Sequence, residues 1–183
     1  MDIMVDLETM GLQPGCALLS IGGVAFDLYS EALGDTFYCN IRKESCVRHG
    51  MFIDPQTELW WAQQSEDAKR ALMTPDPIDL DMAFYHFIEW VKTHDPASVR
   101  IWSHGAGFDL PMLHDAARRL GFSTPWSYRN ERDTRTVLHL VHDRRGPDTL
   151  MEILSIQKGV HHHALDDAVT QAKQIQKGWA ALI

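Results

Sequence analysis

Apolar and polar positions follow two rhythms along this chain, nearly continuous apolar runs first and helical spacing afterwards. Ile3 to Glu8 is short and mostly apolar and reads as a strand. Gly11, Pro14 and Gly15 then mark a turn. Ala17 to Leu28, built around Leu18-Leu19-Ser20-Ile21-Gly22-Gly23-Val24-Ala25-Phe26, reads as a second, largely buried strand. The stretch around Phe37-Tyr38-Cys39-Asn40-Ile41 reads as a third. Short connections make the three an antiparallel meander.

The period then changes. Thr57 to Met73 and Asp81 to His94 predict helices, and in the latter Phe84, Phe87, Ile88 and Val91 fall at i, i+3, i+4 and i+7. Val99-Arg100-Ile101-Trp102-Ser103 predicts a strand with a glycine-rich exit at Gly105 and Gly107. Leu110 to Leu120 predicts a helix stopped by Gly121. A short strand near Trp126 to Arg129 and helices over Thr134 to His142 and Ala164 to Ala181 complete the pattern. Strands first, then alternating helix and strand, imply an α/β fold with helices packed on a mixed sheet. No repeat or long linker interrupts residues 1–183, so a single domain is expected.

Composition narrows the classes. A hydrophobic fraction of 45% with 23% charged residues suits a soluble globular protein. The start, Met1-Asp2-Ile3-Met4-Val5-Asp6, carries acids where a secretory signal carries Lys or Arg, so a cytoplasmic location is expected. Cys16, Cys39 and Cys46 are odd in number and lack Cys-x-x-Cys spacing, which argues for buried thiols rather than disulfides or a zinc ribbon. The net charge of −8 argues against a nucleic-acid partner unless the acids form a metal site whose cations meet the phosphate.

Three groups of acids bear on that exception. Asp6-Leu7-Glu8 places two carboxylates on one face of the first strand, where they repel unless a cation lies between them. The bland alternative is a surface strand end. Phe108-Asp109-Leu110 follows a strand and a glycine-rich turn, where functional residues of α/β sheets gather, yet Asp109 also suits a helix cap. His161-His162-His163-Ala164-Leu165-Asp166-Asp167 combines three histidines that cannot converge on one ion, so one works beside two bystanders. Asp166 also suits a helix N-terminus.

In their order, Asp6-x-Glu8, Phe108-Asp109 and His162-x-x-x-x-Asp167 resemble the DEDDh family of 3′–5′ exonucleases. Ser20-Ile21-Gly22-Gly23-Val24 resembles that family's second strand, so the likeness covers nearly the whole chain. Trp60-Trp61-x-x-Gln64-Ser65 and Arg132-Asp133-x-Arg135-Thr136 are similar to small bacterial and phage exonucleases, and His162 to Asp167 to oligoribonuclease. One departure stands out: Ser103-His104-Gly105-Ala106-Gly107 lacks the Asn that often precedes the second-motif Asp.

The resemblance implies a ribonuclease H-like fold, a mixed five-stranded sheet flanked by helices. It implies two Mg²⁺ or Mn²⁺ ions held by Asp6, Glu8, Asp109 and Asp167, hard oxygen ligands suited to those ions. His162 would be the general base, releasing nucleoside 5′-monophosphates from 3′ ends of single-stranded or short-overhang RNA or DNA. Thr9, Met10, Trp61 and Phe108 are the expected substrate contacts. Trp60 and Trp61 point about 100° apart on a helix, so at most one faces the core and the other is placed to stack on a base; the alternative is that both pack on the sheet or at a dimer contact. Arg129, Arg132 and Arg135 are placed for phosphates or a partner subunit, with Asp133 offering local ion pairs instead. A homodimer and a bacterial or phage setting are expected. Two rival classes are a catalytically silent nucleic-acid-binding protein of the same fold and a zinc hydrolase using His104, His161 and His163.

Overall fold

A computed structural model describes residues 1–183. Five strands form one sheet: β1 (Asp2–Thr9), β2 (Leu18–Phe26), β3 (Leu33–Asn40), β4 (Arg100–Ser103) and β5 (Glu131–Asp133). Their order is β3-β2-β1-β4-β5, with β1 antiparallel to β2, β2 antiparallel to β3, and β4 parallel to both β1 and β5. The meander and the mixed sheet expected from the pattern are both present.

Eight helices cover the sheet: α1 (Lys43–Arg48), α2 (Pro55–Ala62), α3 (Glu66–Ala71), α4 (Leu80–Lys92), α5 (Asp109–Leu120), α6 (Thr134–Arg145), α7 (Pro147–Leu154) and α8 (Ala164–Leu182). Strand alternation sends Ile3, Val5 and Leu7 into a core shared with Phe84, Phe87, Ile88 and Val91 of α4 and Leu110 and Leu113 of α5. Met4 points the other way, joining Val24, Phe26 and Trp102 under Ala168, Ala172 and Ile175 of α8. Asp2, buried at the start of β1, accepts hydrogen bonds from Arg100 Nε (2.7 Å) and Trp102 Nε1 (2.7 Å) and locks β1 to β4.

Several expectations are corrected. The helix expected over Thr57 to Met73 is two helices. Ser65 interrupts it, because its hydroxyl accepts the Ala68 N–H at 3.1 Å and starts α3 afresh. The strand expected near Trp126 to Arg129 begins later, at Glu131, after a 3₁₀ turn at Tyr128–Asn130. Helices α1 and α7 are additions to the expected pattern. Helix α7 follows Gly146, at φ 86°, with Pro147 supplying a preset first helical residue. Gly121 does end α5, at φ 72°, and the Phe122 N–H returns to Ala117 O at 2.9 Å. All three cysteines are free and buried. No helix is long and apolar enough to cross a membrane.

The layers approach closely at Gly22. A Cβ there would sit 2.2 Å from the carbonyl carbon of Ala164 and 2.3 Å from Leu165 N, so the first turn of α8 rests directly on the β2 backbone. Gly22 pairs with Asp6 across the strands. At Gly23 an added Cβ would instead meet the Trp90 ring at 2.8 Å, a side chain able to shift. Gly22→Ala is therefore expected to lower the melting temperature more than Gly23→Ala, with an overpacking cost of roughly 1–3 kcal/mol. Thermal unfolding of both variants checks this, and equal effects would show that α8 does not rest on Gly22.

Candidate active site

Two carboxylates begin the site. Asp6 and Glu8 share the face of β1 that Met4 also uses, and Glu8 is only 7% exposed. The last β1–β4 pair is Met4 with Trp102, so the Leu7 N–H lies beyond the parallel ladder. Asp109 Oδ1 accepts that N–H at 3.3 Å from the first residue of α5, at 3% exposure. The cap position of α5 belongs to Phe108 and has no side-chain cap, so Asp109 serves β1 and not its own helix.

Helix α8 brings the rest. Gln171 Nε2 donates to Asp6 Oδ1 at 2.7 Å, and Asp167 Oδ2 accepts the His162 N–H at 2.9 Å. His162 adopts φ 63°, a left-handed conformation that costs an ordinary residue about 1–3 kcal/mol. The loop before α8 is held by Asp166, whose Oδ2 accepts the Val160 N–H at 2.7 Å. Gly159, at φ 70°, lies so near that an added Cβ would be 2.1 Å from the Asp166 carboxylate. His163 caps α8 through Nδ1, accepting from Asp166 N at 3.3 Å, and its ring packs on Tyr38 at 4.3 Å between centroids. His161 is exposed. Of the three histidines, His162 meets the acids: ligand atoms of Glu8, His162 and Asp167 lie within 4.8 Å of one another. His104 lies apart, with Nδ1 against Thr134 Oγ1 at 2.9 Å, so the His104, His161 and His163 zinc set does not assemble.

This crowding sets the electrostatics. Burial pushes Glu8 up to about 8, with Asp167 and Asp109 adding repulsion. Burial pushes Asp109 up to about 7 against the relief of the Leu7 N–H. Asp6 is raised well above the carboxylate range by burial, then by Asp109 and Glu8, although Gln171 opposes the shift. Asp167 is raised by burial, opposed by the His162 N–H. Burial lowers His162, as does neighbouring His161, while Asp167 pulls the other way.

A cleft of about 410 Å³ opens beside Glu8, lined by Leu7, Thr9, Leu12, Asp54, Gln56, Thr57, Trp60, Trp61 and Phe108. Trp61 is 5% exposed and tied by Nε1 to Thr9 O at 2.9 Å, so it is a fixed wall and not a free stacking platform. Trp60 is 41% exposed and stands edge-on to His162 at 4.9 Å, so it is the exposed ring of the pair. The Thr9 hydroxyl donates to Gly11 O at 2.7 Å. Met10 does not line the cleft: it is buried and faces a separate cavity under α2. Arg132 Nη1 donates to the carbonyls of Arg129 and Glu131, both at 2.8 Å, which holds it within the β5 turn. The residue read over in the sequence is Gln171, although it stands one helical turn after Asp167 at i+4 and so shares its face.

The model of the 3′–5′ exoribonuclease Rv2179c-like domain matches residues 1–179. The chain belongs to this family. An exodeoxyribonuclease of Enterobacteria phage T4 is 28% identical over 161 residues, spanning 74% of this chain and 69% of the phage protein. The nuclease domain of 3′hExo, a DEDDh family member solved with rAMP, has a TM-score of 0.66 at 14% identity, covering 96% of this chain and 89% of that one. Exonuclease X, solved with 5′ overhanging duplex DNA, gives 0.58 at 18% identity, covering 97% and 90%. The sheet and its helices are thus the ribonuclease H-like fold of DEDDh exonucleases, and the protein is a 3′–5′ exonuclease.

The raised acids carry a pH signature. A folded pKa above the unfolded value means a contribution to stability that is full below the unfolded value and lost as pH rises through the folded one. For Glu8 and Asp109 that window runs from about 4 to about 8. The lowered His104 and His162 act in the opposite sense near their ordinary range, so the comparison is with a variant. In EDTA, Glu8→Gln is expected to melt higher than the parent protein, by an excess that grows from acid to pH 8, at about 2–4 °C per kcal/mol. A constant difference across that window would contradict the crowding.

Proposed function

We propose that this exonuclease removes nucleoside 5′-monophosphates from the 3′ end of single-stranded nucleic acid, RNA foremost, at the carboxylate cluster on β1. Asp6, Glu8, Asp109 and Asp167 would hold two Mg²⁺ or Mn²⁺ ions, and His162 would take the proton of the attacking water. The observation that carries this is the convergence of four acids from β1, α5 and α8 with one imidazole. The donor set fits divalent cations: all four carboxylates are hard oxygen ligands, Asp6 and Glu8 are raised partly by repulsion from the others, and Arg135 is the one Arg or Lys that acts on any of them. When bound, such ions stabilise charge on the attacking and leaving oxygens of an in-line displacement.

The protein's own residues do the rest. Gln171 fixes the direction of Asp6, and the Leu7 N–H fixes that of Asp109. Burial favours the neutral imidazole of His162, which leaves a ring nitrogen free to accept a proton near pH 7. Its left-handed backbone, tied to Asp167, aims the ring across the acids towards Glu8. Leu12, Trp60 and Phe108 offer an apolar bed for the terminal base, and Asp54, Gln56 and Thr57 offer polar groups for its sugar. RNA is put first because the family's description is of an exoribonuclease over residues 1–179; the T4 exodeoxyribonuclease supports DNA as the second substrate. That relative also supports a bacterial or phage setting. The working assembly we expect is a homodimer, which sedimentation would register as double the chain mass.

Kinetics on labelled RNA and DNA strands test the assignment. Asp167→Asn is expected to abolish turnover while circular dichroism stays unchanged. His162→Ala is expected to lower kcat by roughly 10²-fold or more, the range for loss of a general base. If His163→Ala is the more damaging change, the register of the α8 loop in this mechanism is wrong. A preference for DNA over RNA would reverse the substrate order.

A further inference from the structure

A second cavity, of about 420 Å³, opens between α6, α7 and the turn after β4. His104, Arg135, His139 and His142 supply its polar wall, and Leu138, Leu150 and Leu154 its apolar floor. No carboxylate lines it, although the chain carries 25 acids against 17 Lys and Arg. Arg135, His139 and His142 follow at i, i+4 and i+7, so one face of α6 presents all three.

The acids nearest this wall are engaged elsewhere or stand on its rim. Asp133 Oδ1 accepts the N–H groups of Gly105 (3.2 Å) and Arg135 (2.8 Å). Asp143 flanks the imidazoles, 3.2 Å from His142 Nδ1 and 3.7 Å from His139 Nε2. The Arg135 guanidinium has no carboxylate partner; it lies over Gly105, where an added Cβ would be 3.3 Å from its Cζ. Gly105 O in turn accepts the Phe108 N–H at 2.9 Å, one residue before Asp109. Arg135 therefore stands where the basic groove meets the turn that carries Asp109.

We infer that this groove grips the phosphodiester backbone of the strand upstream of the cleaved nucleotide, with Arg135 as the anchor. An exposed guanidinium offers a forked set of N–H donors that matches phosphate oxygens. The three imidazoles add further N–H donors along the same face, and the leucine floor takes sugars or bases. Arg135, over the turn that leads to Asp109, carries a charge opposite to the strand's and no carboxylate lines the groove, so the substrate itself is the occupant. This rests on the exonuclease mechanism proposed above and adds to it a preference for strands longer than a dinucleotide.

Steady-state kinetics on a dinucleotide and a dodecanucleotide, with Arg135→Gln and a His139→Gln/His142→Gln double variant, test this. The double variant is expected to raise KM for the dodecanucleotide several-fold while leaving its kcat and all dinucleotide kinetics unchanged. Arg135→Gln is expected to raise the dodecanucleotide KM about tenfold, the scale of one lost charge-assisted contact, and Arg135→Lys to restore most of it. Dodecanucleotide binding in EDTA should lose roughly 0.7 from its log–log salt slope in Arg135→Gln. Unchanged dodecanucleotide KM in both variants, or equal losses on both lengths, overturns the groove. So does a change in sedimenting mass without a change in KM, which would make the face a protein contact. If the unaltered protein degrades neither length, the mechanism itself has failed, a distinct result.

Discussion

Mutual repulsion among four carboxylates is the constraint around which this molecule is built. Asp6, Glu8, Asp109 and Asp167 sit at one end of the central strand with their pKa values pushed up by burial and, for Asp6 and Glu8, by repulsion from the others. Left to themselves they would spread apart. Each is held by an element whose own packing forbids that: β1 is flanked by β2 and β4, α5 starts at Asp109 and is buried along Leu110, Met112 and Leu113, and α8 is clamped on β2 at Gly22. The fold thus stores an electrostatic cost, the usual trade of stability for function at a charged site, and under the proposed mechanism bound divalent cations would relieve it.

The same logic explains the division of labour between the two faces of the sheet. One face is occupied by aliphatic and aromatic side chains from β1, α4 and α5 and gives rigidity. On the other, Met4 and the small residues Ala168 and Ala172 let α8 lie close, and further along β1 the apolar pairing gives way to Asp6 and Glu8. The α8 loop then supplies its imidazole through an unfavourable backbone conformation, sustained by Asp166, Gly159 and the His163 cap. Strain of this kind persists where surrounding contacts over-determine it.

Much of this was legible in the residues. The antiparallel meander, the α4 period and the stop at Gly121 follow from spacing and turn chemistry that act locally. The family followed from three short motifs taken in order, which the match over residues 1–179 bears out. The break at Ser65 was missed because a capping serine inside a polar stretch looks like any helical serine until its hydroxyl is seen to accept an N–H. The order of the tryptophan pair was invisible because it depends on which ring reaches Thr9 O, a contact 52 residues apart in sequence. The task of Gly22, and the gathering of His104 with α6, likewise come from tertiary approach and leave no local trace.

The central claim is that the acid cluster is a cation site, and calorimetric titration of Mn²⁺ into EDTA-stripped, dialysed protein near pH 7 tests it most directly. Run in buffers of different ionisation enthalpy, the titration reports protons released on binding. Because burial pushes Glu8 up to about 8 and Asp109 up to about 7, the account predicts saturable binding of two ions with net proton release, both lost in an Asp6→Asn, Asp167→Asn double variant. Binding without proton release, or binding that survives the double substitution, would contradict it.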